Sequence, residues 1–288
     1  MKFAHLTSKT SIDPQLAVVL DDRAVFVNDL GISAQNLQQL IEQGPEALAK
    51  IATEVKKFES YAAQPLSELS YAPAIIDPPI TLAVGLNYDE HASELSLDND
   101  SGPVLFSLFP NSLSAHKATV ELPVEITREV DYEGELGVII GKPAKNVTLE
   151  TALDYVFGYT IVNDLTARNL QFIEPQWSRC KSFDGFTPVG PIVVTADEIP
   201  DPQNLKITTD YNDLRVQDSN TSFMIRSVAQ LIVALSQSLT LQPGTLISTG
   251  SPGGAGRSRK PPLYMREGVV STVTIERIGS LTSYFVEV

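Results

Sequence analysis

The sequence predicts a strand-dominated α+β fold, and three observations predict it. From about residue 80 onward the chain reads as short apolar runs punctuated by glycine or proline, which is typical of strands and turns. One late stretch, residues 224–238, has apolar residues on a single helical stripe: Ile225, Val228, Leu231, Ile232 and Leu235. With 288 residues, of which 43% are hydrophobic, the chain is long enough to bury a sizeable core.

The first part of the chain predicts a small α/β extension. Residues 16–27, LAVVLDDRAVFV, form two apolar runs around Asp21 and Asp22, and this pattern predicts a hairpin. Apolar residues then recur at helical spacing from Leu37 to Val55, with an interruption at Gly44 and Pro45. We expect residues 1–70 to be a small N-terminal domain with its linker, and residues 71–288 to be the main domain.

The main domain is predicted to contain at least seven strands. No internal repeat or low-complexity tract interrupts them. The strand-like runs are TLAVGLNY, ELGVIIG, FGYTIVND, PVGPIVV, LKITTDY, TLISTG and VVSTVTIERIG.

Composition excludes several classes of function. The net charge of −14 and the lack of a long basic run argue against nucleic acid as a partner, because phosphate binding needs clustered Lys and Arg. No stretch approaches the ~20 apolar residues of a membrane helix, and the start, MKFAHLTSK, lacks the apolar core of a secretory signal. Cys180 is the sole cysteine, which argues against a disulfide framework and a zinc motif. A cytoplasmic protein is therefore expected.

Four acids stand at alternate positions in EVDYEGELGVII: Glu129, Asp131, Glu133 and Glu135. On one strand they would point the same way. One interpretation is a solvated acidic face, where water screens the repulsion. The other is a site for Mg²⁺, which prefers oxygen ligands, with Glu133 and Glu135 joined by Asp164 at the end of another strand-like run.

Three further stretches could carry chemistry. His91 and Glu94 have the i, i+3 spacing that would let a carboxylate orient an imidazole as a general base, or they are an incidental surface pair. Lys181 precedes a Gly/Pro-rich turn, and it either stabilises an enolate or is an exposed lysine. The glycine-rich turn STGSPGGAG, residues 248–256, lacks the P-loop ending, but its N–H groups could hold a carboxylate.

Taken together, these stretches resemble the fumarylacetoacetate hydrolase family. The motifs stand in the family's order over roughly residues 71–288, and they are VGLNYDEHASEL, PVLFSLFPNSL, VDYEGELGVIIGK, GYTIVNDLTARNLQ, QWSRCKSFDGFTPVGP, QDSNTSFMI and STGSPGGAG. The resemblance implies a mixed β-rich roll, a homodimer, and one Mg²⁺ or Mn²⁺ in each subunit. Leu108 stands where the family often has a lysine, so the resemblance leaves the identity of the substrate open.

The resemblance also implies roles for individual residues. The metal ligands would be Glu133, Glu135 and Asp164, and Lys181 would be the family's catalytic lysine. The remaining assignments are a catalytic dyad, His91 and Glu94, and four substrate-binding residues, Arg168, Gln171, Thr249 and Gly250.

The function expected is hydrolysis of an acylpyruvate-type β-diketo acid, similar to fumarylpyruvate or acetylpyruvate. Its carboxylate and 2-oxo oxygen would chelate the metal, and His91 would activate water to attack the distal carbonyl. Cleavage of the C–C bond would release a pyruvate enolate next to Lys181. A 2-hydroxydienoate isomerase and an oxaloacetate decarboxylase would use much the same residues, and a metal-dependent binding protein is the alternative without catalysis.

Overall fold

The computed structural model describes residues 1–8, 11–57, 63–90 and 103–288. Within these ranges the chain forms nineteen strands and four α-helices. The helices are α1 (Leu37–Gln43), α2 (Pro45–Lys57), α3 (Arg168–Gln171) and α4 (Val228–Ser238). The strands are β1 (Lys2–Ser8), β2 (Ser11–Leu20), β3 (Arg23–Phe26), β4 (Gln64–Pro65), β5 (Ser70–Tyr71), β6 (Thr81–Gly85), β7 (Val104–Ser107), β8 (Leu113–Ser114), β9 (Thr119–Leu122), β10 (Val130–Asp131), β11 (Gly134–Ile140), β12 (Val156–Asn163), β13 (Thr166–Ala167), β14 (Thr187–Thr195), β15 (Lys206–Tyr211), β16 (Leu214–Asn220), β17 (Leu246–Ser248), β18 (Val270–Ile275) and β19 (Gly279–Glu287).

The largest sheet has twelve strands and spans both parts of the chain. Its order is β4-β3-β2-β1-β14-β12-β11-β17-β6-β7, with β5 beside β1 and β8 beside β14. The predicted hairpin is confirmed, since Leu20 pairs with Arg23 across the Asp21-Asp22 turn. The predicted helical region is also confirmed, as α1 and α2 divide at Gly44. Because β1 pairs with β14, the N-terminal strands continue the main sheet, and the domain boundary near residue 70 stays a prediction.

A second sheet, in the order β16-β15-β18-β19-β9, shares a core with the first. Leu136 and Val138 of β11 belong to the same buried apolar cluster as Ile207 of β15 and Val273 of β18. Burial of this surface is the main stabilising contribution to the fold. The expected strand-dominated α+β architecture is thus confirmed.

Helix α4 begins later than the sequence pattern predicts. Ser227 is its N-cap, and Ser227 and Gln230 form a reciprocal capping box that satisfies the first free N–H groups. Ile225 therefore precedes the helix, and its N–H donates to the carbonyl of Asn87 instead. None of the helices in the described ranges is long and apolar enough to span a membrane.

The acidic strand predicted over residues 129–140 is interrupted. Strand β10 ends at Asp131 and β11 begins at Gly134, so Tyr132 and Glu133 lie between two strands. β10 pairs with β13, whereas β11 pairs with β12 and β17. The expectation that all four acids share one strand face is wrong, because the chain changes pairing partner between them.

Candidate metal centre

Three buried carboxylates meet where β11 begins and β12 ends. Glu133 precedes β11, Glu135 lies in it, and Asp164 follows β12. The antiparallel register places Gly134 opposite Asn163, and this pairing brings the three acids together. One ligand oxygen from each lies within 4.8 Å of the others. The structure thus brings together the three carboxylates that the sequence predicts, at distances that would allow them to bind one metal ion.

Lys181 reaches the same cluster from a loop before β14. Its Nζ lies 2.7 Å from Oε2 of Glu133 and also pairs with Oδ2 of Asp164. Its side chain is only 2% exposed. Burial alone would lower the pKa of Lys181, but the neighbouring carboxylates of Asp164, Glu133 and Glu135 outweigh it and raise the pKa. The ammonium is therefore positively charged at neutral pH, and it is not an exposed surface lysine.

Arg168 and Gln171, both on α3, lie behind Glu133. Arg168 is fully buried, and its Nε donates to Oδ2 of Asp131 at 2.8 Å. Its Nη1 lies 2.8 Å from Oε1 of Glu133 and donates to Oε1 of Gln171 at 2.9 Å. In the described structure Arg168 thus orients Glu133, and its predicted contact with substrate stays a prediction.

The glycine-rich turn holds carboxylates of the protein itself. The hydroxyl of Ser248 and the N–H of Gly250 both donate to Oε2 of Glu135, at 2.6 and 2.8 Å. The hydroxyl of Thr249 donates to the carbonyl of Leu136. Gly250 has φ +100°, and a Cβ there would lie 2.7 Å from Cβ of Asn87, so the turn requires glycine. The predicted contacts of Thr249 and Gly250 with substrate stay predictions.

The cluster carries an excess of buried negative charge. Four carboxylates face two cations, which leaves a formal charge of about −2 when all are ionised; the carboxylates are Asp131, Glu133, Glu135 and Asp164, and the cations are Arg168 and Lys181. Burial raises the pKa of Glu135 well above its usual range, and Asp164 and Glu133 raise it further. Burial likewise raises the pKa of Asp164 to about 6.

A divalent cation fits this arrangement. It would neutralise the two uncompensated charges, and carboxylate oxygens are the ligands that Mg²⁺ and Mn²⁺ prefer. Oδ1 of Asp164 is also buried with no hydrogen-bond partner among the described residues, so a ligand atom is available. Glu133, Glu135 and Asp164 are the residues that would hold the metal.

Sequence reasoning missed two residues of this site, Asp131 and Trp177. Asp131 appeared only as one acid of the strand, but it is fully buried and also accepts from the N–H groups of Gly256 and Arg257. Trp177 lines the narrow pocket over Glu133 and Glu135. The one available signal was that Trp177 is the sole tryptophan and stands in the motif that contains Lys181. The predicted dyad, His91 and Glu94, lies outside the described residues.

Comparison with known proteins assigns the chain to a family. Residues 81–286 match the model of the fumarylacetoacetate (FAA) hydrolase C-terminal domain. The chain belongs to this family. The predicted resemblance and the predicted fold class are both confirmed.

Solved structures of the fumarylacetoacetate hydrolase family resemble the whole chain. A fumarylacetoacetate hydrolase from Exiguobacterium antarcticum is 32% identical with a TM-score of 0.87, and all of both chains is covered. A maleylpyruvate hydrolase from Sphingobium sp. SYK-6, in complex with manganese(II) and pyruvate, is 27% identical with a TM-score of 0.84, over 100% of this chain and 99% of that one. A 2-hydroxyhepta-2,4-diene-1,7-dioate isomerase from Mycobacterium marinum is 28% identical with a TM-score of 0.77, over 100% and 98% of the chains.

Proposed function

We propose that this protein is a metal-dependent hydrolase that cleaves a C–C bond in an acylpyruvate-type β-diketo acid. The observation that carries the proposal is the buried set Glu133, Glu135 and Asp164, with ligand oxygens within 4.8 Å of one another and Lys181 against two of them. Family membership supports an enzyme, since the similar structures include hydrolases and an isomerase. The similar structure that contains manganese and pyruvate supports a 2-oxo acid as the substrate class.

The cofactor proposed is Mg²⁺ or Mn²⁺. When bound, a divalent cation supplies Lewis-acid stabilisation of the negative charge that develops on the 2-oxo acid portion of the substrate. Arg168 keeps Glu133 in place, and Ser248 and Gly250 keep Glu135 in place, so the ligand oxygens are held before any ion arrives. Ligand oxygens that are held in this way favour one coordination geometry of the metal ion over others.

Lys181 is proposed to stabilise the leaving enolate. Because its pKa is raised, it stays protonated and can donate a hydrogen bond to an oxygen that gains charge during cleavage. Its three N–H bonds allow one donor for such an oxygen while Glu133 and Asp164 take the other two. In this proposal Lys181 therefore contacts both the carboxylate cluster and the substrate oxygen that gains charge.

His91 and Glu94 are proposed to supply the general base. The family resemblance assigns this dyad, with Glu94 orienting the imidazole and His91 taking a proton from the attacking water. In the sequence both residues come shortly after strand β6. This strand contributes Val84 and Gly85 to the wall of the pocket. Water attack on the distal carbonyl and departure of the pyruvate enolate would then complete the hydrolysis.

An isomerase is the second candidate. The similar structure from Mycobacterium marinum is named for isomerisation of a 2-hydroxy dienoate, and such a reaction needs a proton transfer at an enolate without attack by water. Oxaloacetate decarboxylation would also generate a pyruvate enolate next to Lys181.

A substrate panel tests the proposal. The purified protein would be incubated with acetylpyruvate, fumarylpyruvate, a 2-hydroxydienoate and oxaloacetate, each with Mg²⁺, with Mn²⁺ and with EDTA. We expect pyruvate release from an acylpyruvate that EDTA abolishes and that either cation restores. Turnover of only the dienoate or only oxaloacetate would replace the proposed reaction, and full activity in EDTA would exclude a metal-dependent one.

A further inference from the structure

A buried glutamine of the second sheet lies beside the metal centre without being one of its candidate ligands. Gln217 stands on β16 and is 1% exposed, and the register of the sheet places it opposite Thr209 of β15. It is the first residue of the motif QDSNTSFMI, in which the proposed function assigns no role to any residue. A buried amide is stabilised by its hydrogen bonds, so its partners indicate what it does.

The oxygen of the Gln217 amide holds the peptide group between the two candidate glutamate ligands. Its Oε1 accepts the N–H of Gly134 at 3.0 Å and the hydroxyl of Thr209 at 2.6 Å. The carbonyl of the same peptide group, from Glu133, accepts the N–H of Asp164 at 2.8 Å. A Cβ on Gly134 would lie 2.4 Å from Oγ1 of Thr209, so the second sheet can approach this peptide only because residue 134 is glycine.

The nitrogen of the Gln217 amide holds the glycine-rich turn. Its Nε2 donates to Oγ of Ser251 and to the carbonyl of Pro252, both at 2.8 Å. These two residues directly follow Gly250, whose N–H donates to Oε2 of Glu135. One side chain therefore contacts both the segment that carries the glutamates and the turn that holds one of them.

The amide can adopt only one orientation in this position. The N–H of Gly134 can only donate and the carbonyl of Pro252 can only accept, so exchange of the amide oxygen and nitrogen would leave both without a partner. The two donors of the amide and the two lone pairs of its oxygen are all used by the four bonds. Loss of the amide would leave buried backbone groups unsatisfied on both sides, and the two segments would no longer be joined through it.

We propose that Gln217 is a positioning residue of the metal centre, and that its amide sets the spacing of the Glu133 and Glu135 carboxylates. It does so by tying the peptide between them to the turn that holds Glu135. This role rests on the proposed metal-dependent function. Because divalent cations bind oxygen ligands within a narrow range of distances, affinity for the ion depends on how well that spacing is kept.

Binding of Mn²⁺ alone to a Gln217→Met variant tests the proposal without turnover. Methionine has a similar length but cannot make the four hydrogen bonds. Free Mn²⁺ would be measured by electron paramagnetic resonance, and we expect the dissociation constant to rise about 10–100-fold. The spectrum of the bound ion should also change, because its splitting reports the arrangement of the ligand oxygens.

Gln203→Met is the matched control. The Gln203 amide also joins two segments: its Nε2 donates to the carbonyl of Thr221 at 2.6 Å, and its Oε1 accepts the N–H of Val228 at 2.9 Å. None of these three residues lines the pocket over the glutamates. Both variants should lower Tm in EDTA, since both leave buried groups unsatisfied, but Gln203→Met should bind Mn²⁺ with the affinity and spectrum of the wild type.

The outcomes separate this role from the proposed function. A folded Gln217→Met variant with wild-type affinity and spectrum would overturn the role alone, and so would an equal loss of affinity in Gln203→Met. If Gln217→Met is unfolded by circular dichroism, Gln217→Asn, whose amide is one methylene too short, should show the same weakening. Failure of both to fold would show that the amide serves the fold as a whole and would overturn the specific role. A wild type that binds no Mn²⁺ would overturn the metal-dependent function, and this role with it.

Discussion

At the scale of single residues, Glu135 shows that the candidate metal centre contains buried charge in an unfavourable environment. Its carboxylate is 1% exposed and lies close to Asp164 and Glu133, and burial is the largest reason that its pKa is raised. Two donors, Ser248 and Gly250, stabilise one of its oxygens. Without a bound cation, the repulsion among these buried carboxylates therefore lowers the free energy of unfolding.

Glu135→Gln should separate stability from metal binding. The amide keeps an oxygen acceptor for Ser248 and Gly250 but removes a buried charge, so we expect the metal-free free energy of unfolding to rise by about 1 kcal/mol. The increase in Tm that Mg²⁺ or Mn²⁺ gives the wild type should disappear. Differential scanning fluorimetry with EDTA and with each cation measures both effects.

Glu121→Gln is the control for this prediction. Glu121 is exposed on β9, so its variant should behave as the wild type with and without metal. A Glu135→Gln variant that kept the full metal-induced rise in Tm would show that Glu135 is not a ligand.

His91→Ala should separate hydrolysis from the alternative reactions. Loss of a positioned general base lowers hydrolytic turnover by about 10²–10⁴-fold, whereas decarboxylation, which needs no activated water, should change much less. Rates of pyruvate release from acetylpyruvate and from oxaloacetate, at the same metal concentration, check this. Unchanged acylpyruvate cleavage in the variant would disprove the assignment of His91.

Residues with local signals could be predicted, and residues defined by distant partners could not. Glu133, Glu135 and Asp164 stand at the ends of apolar runs, so their types and positions indicated a metal set. Asp131 has the same alternating spacing, but it binds Arg168, and no feature of the local sequence distinguishes it. Its role depends on how β10 pairs with β13.

At the scale of elements, His5 connects three segments. It lies on β1, and its Nε2 accepts the N–H of Leu37 at the start of α1. Its Nδ1 lies 3.1 Å from the carbonyl of Ala74, to which it donates in the neutral form. Burial lowers the pKa of His5 to about 4, although the carbonyls of Ala74 and Pro73 act in the opposite direction. This role of His5 could not be predicted, because a lone histidine in an apolar strand has no local signature.

Acid should weaken the connection that His5 makes. The unfolded chain has the ordinary histidine pKa of 6.5 and the folded chain one of about 4, so the contribution is full above pH 6.5 and is lost as the pH falls toward 4. Between pH 7 and pH 5 the loss amounts to about 2 kcal/mol. Urea denaturation of the wild type and of His5→Gln at both pH values measures it.

The difference between the two proteins isolates His5. The raised pKa values of Glu135 and Asp164 act in the opposite direction, since their stabilising contribution in the metal-free protein grows as the pH falls. Both proteins share that effect, so it cancels in the comparison. Equal pH dependence in wild type and variant would show that His5 is not the group concerned.

Element types were predictable where periodicity was long, and element ends were not. The hairpin, the helical region near Gly44 and the seven main strands follow from apolar spacing. The start of α4 and the break after Asp131 depend on hydrogen bonds, the capping box in one case and a change of pairing partner in the other. Apolar periodicity carries no information about either.

At the scale of the whole molecule, we predict a homodimer. Several large apolar side chains are exposed, among them Ile173 at 76% and Phe223 at 65%, and a second copy of the chain would cover such surface. Light scattering coupled to size exclusion should give a mass of twice 31.3 kDa. A mass of 31.3 kDa at micromolar concentration would contradict the prediction.

The pairing of β1 with β14 has a consequence for biosynthesis. β1 comes first from the ribosome, and β5 covers its second edge only at Leu6 and Thr7. The strand that covers that edge at Lys2 and Phe3, β14, ends at Thr195, 194 positions after Met1. At about 5–20 residues per second, that edge waits roughly 10–40 s for its partner. During this interval β1 has an unpaired strand edge at Lys2 and Phe3 in the nascent chain. The nascent chain is thus the form most open to aggregation, and slower translation should lower the yield of folded protein.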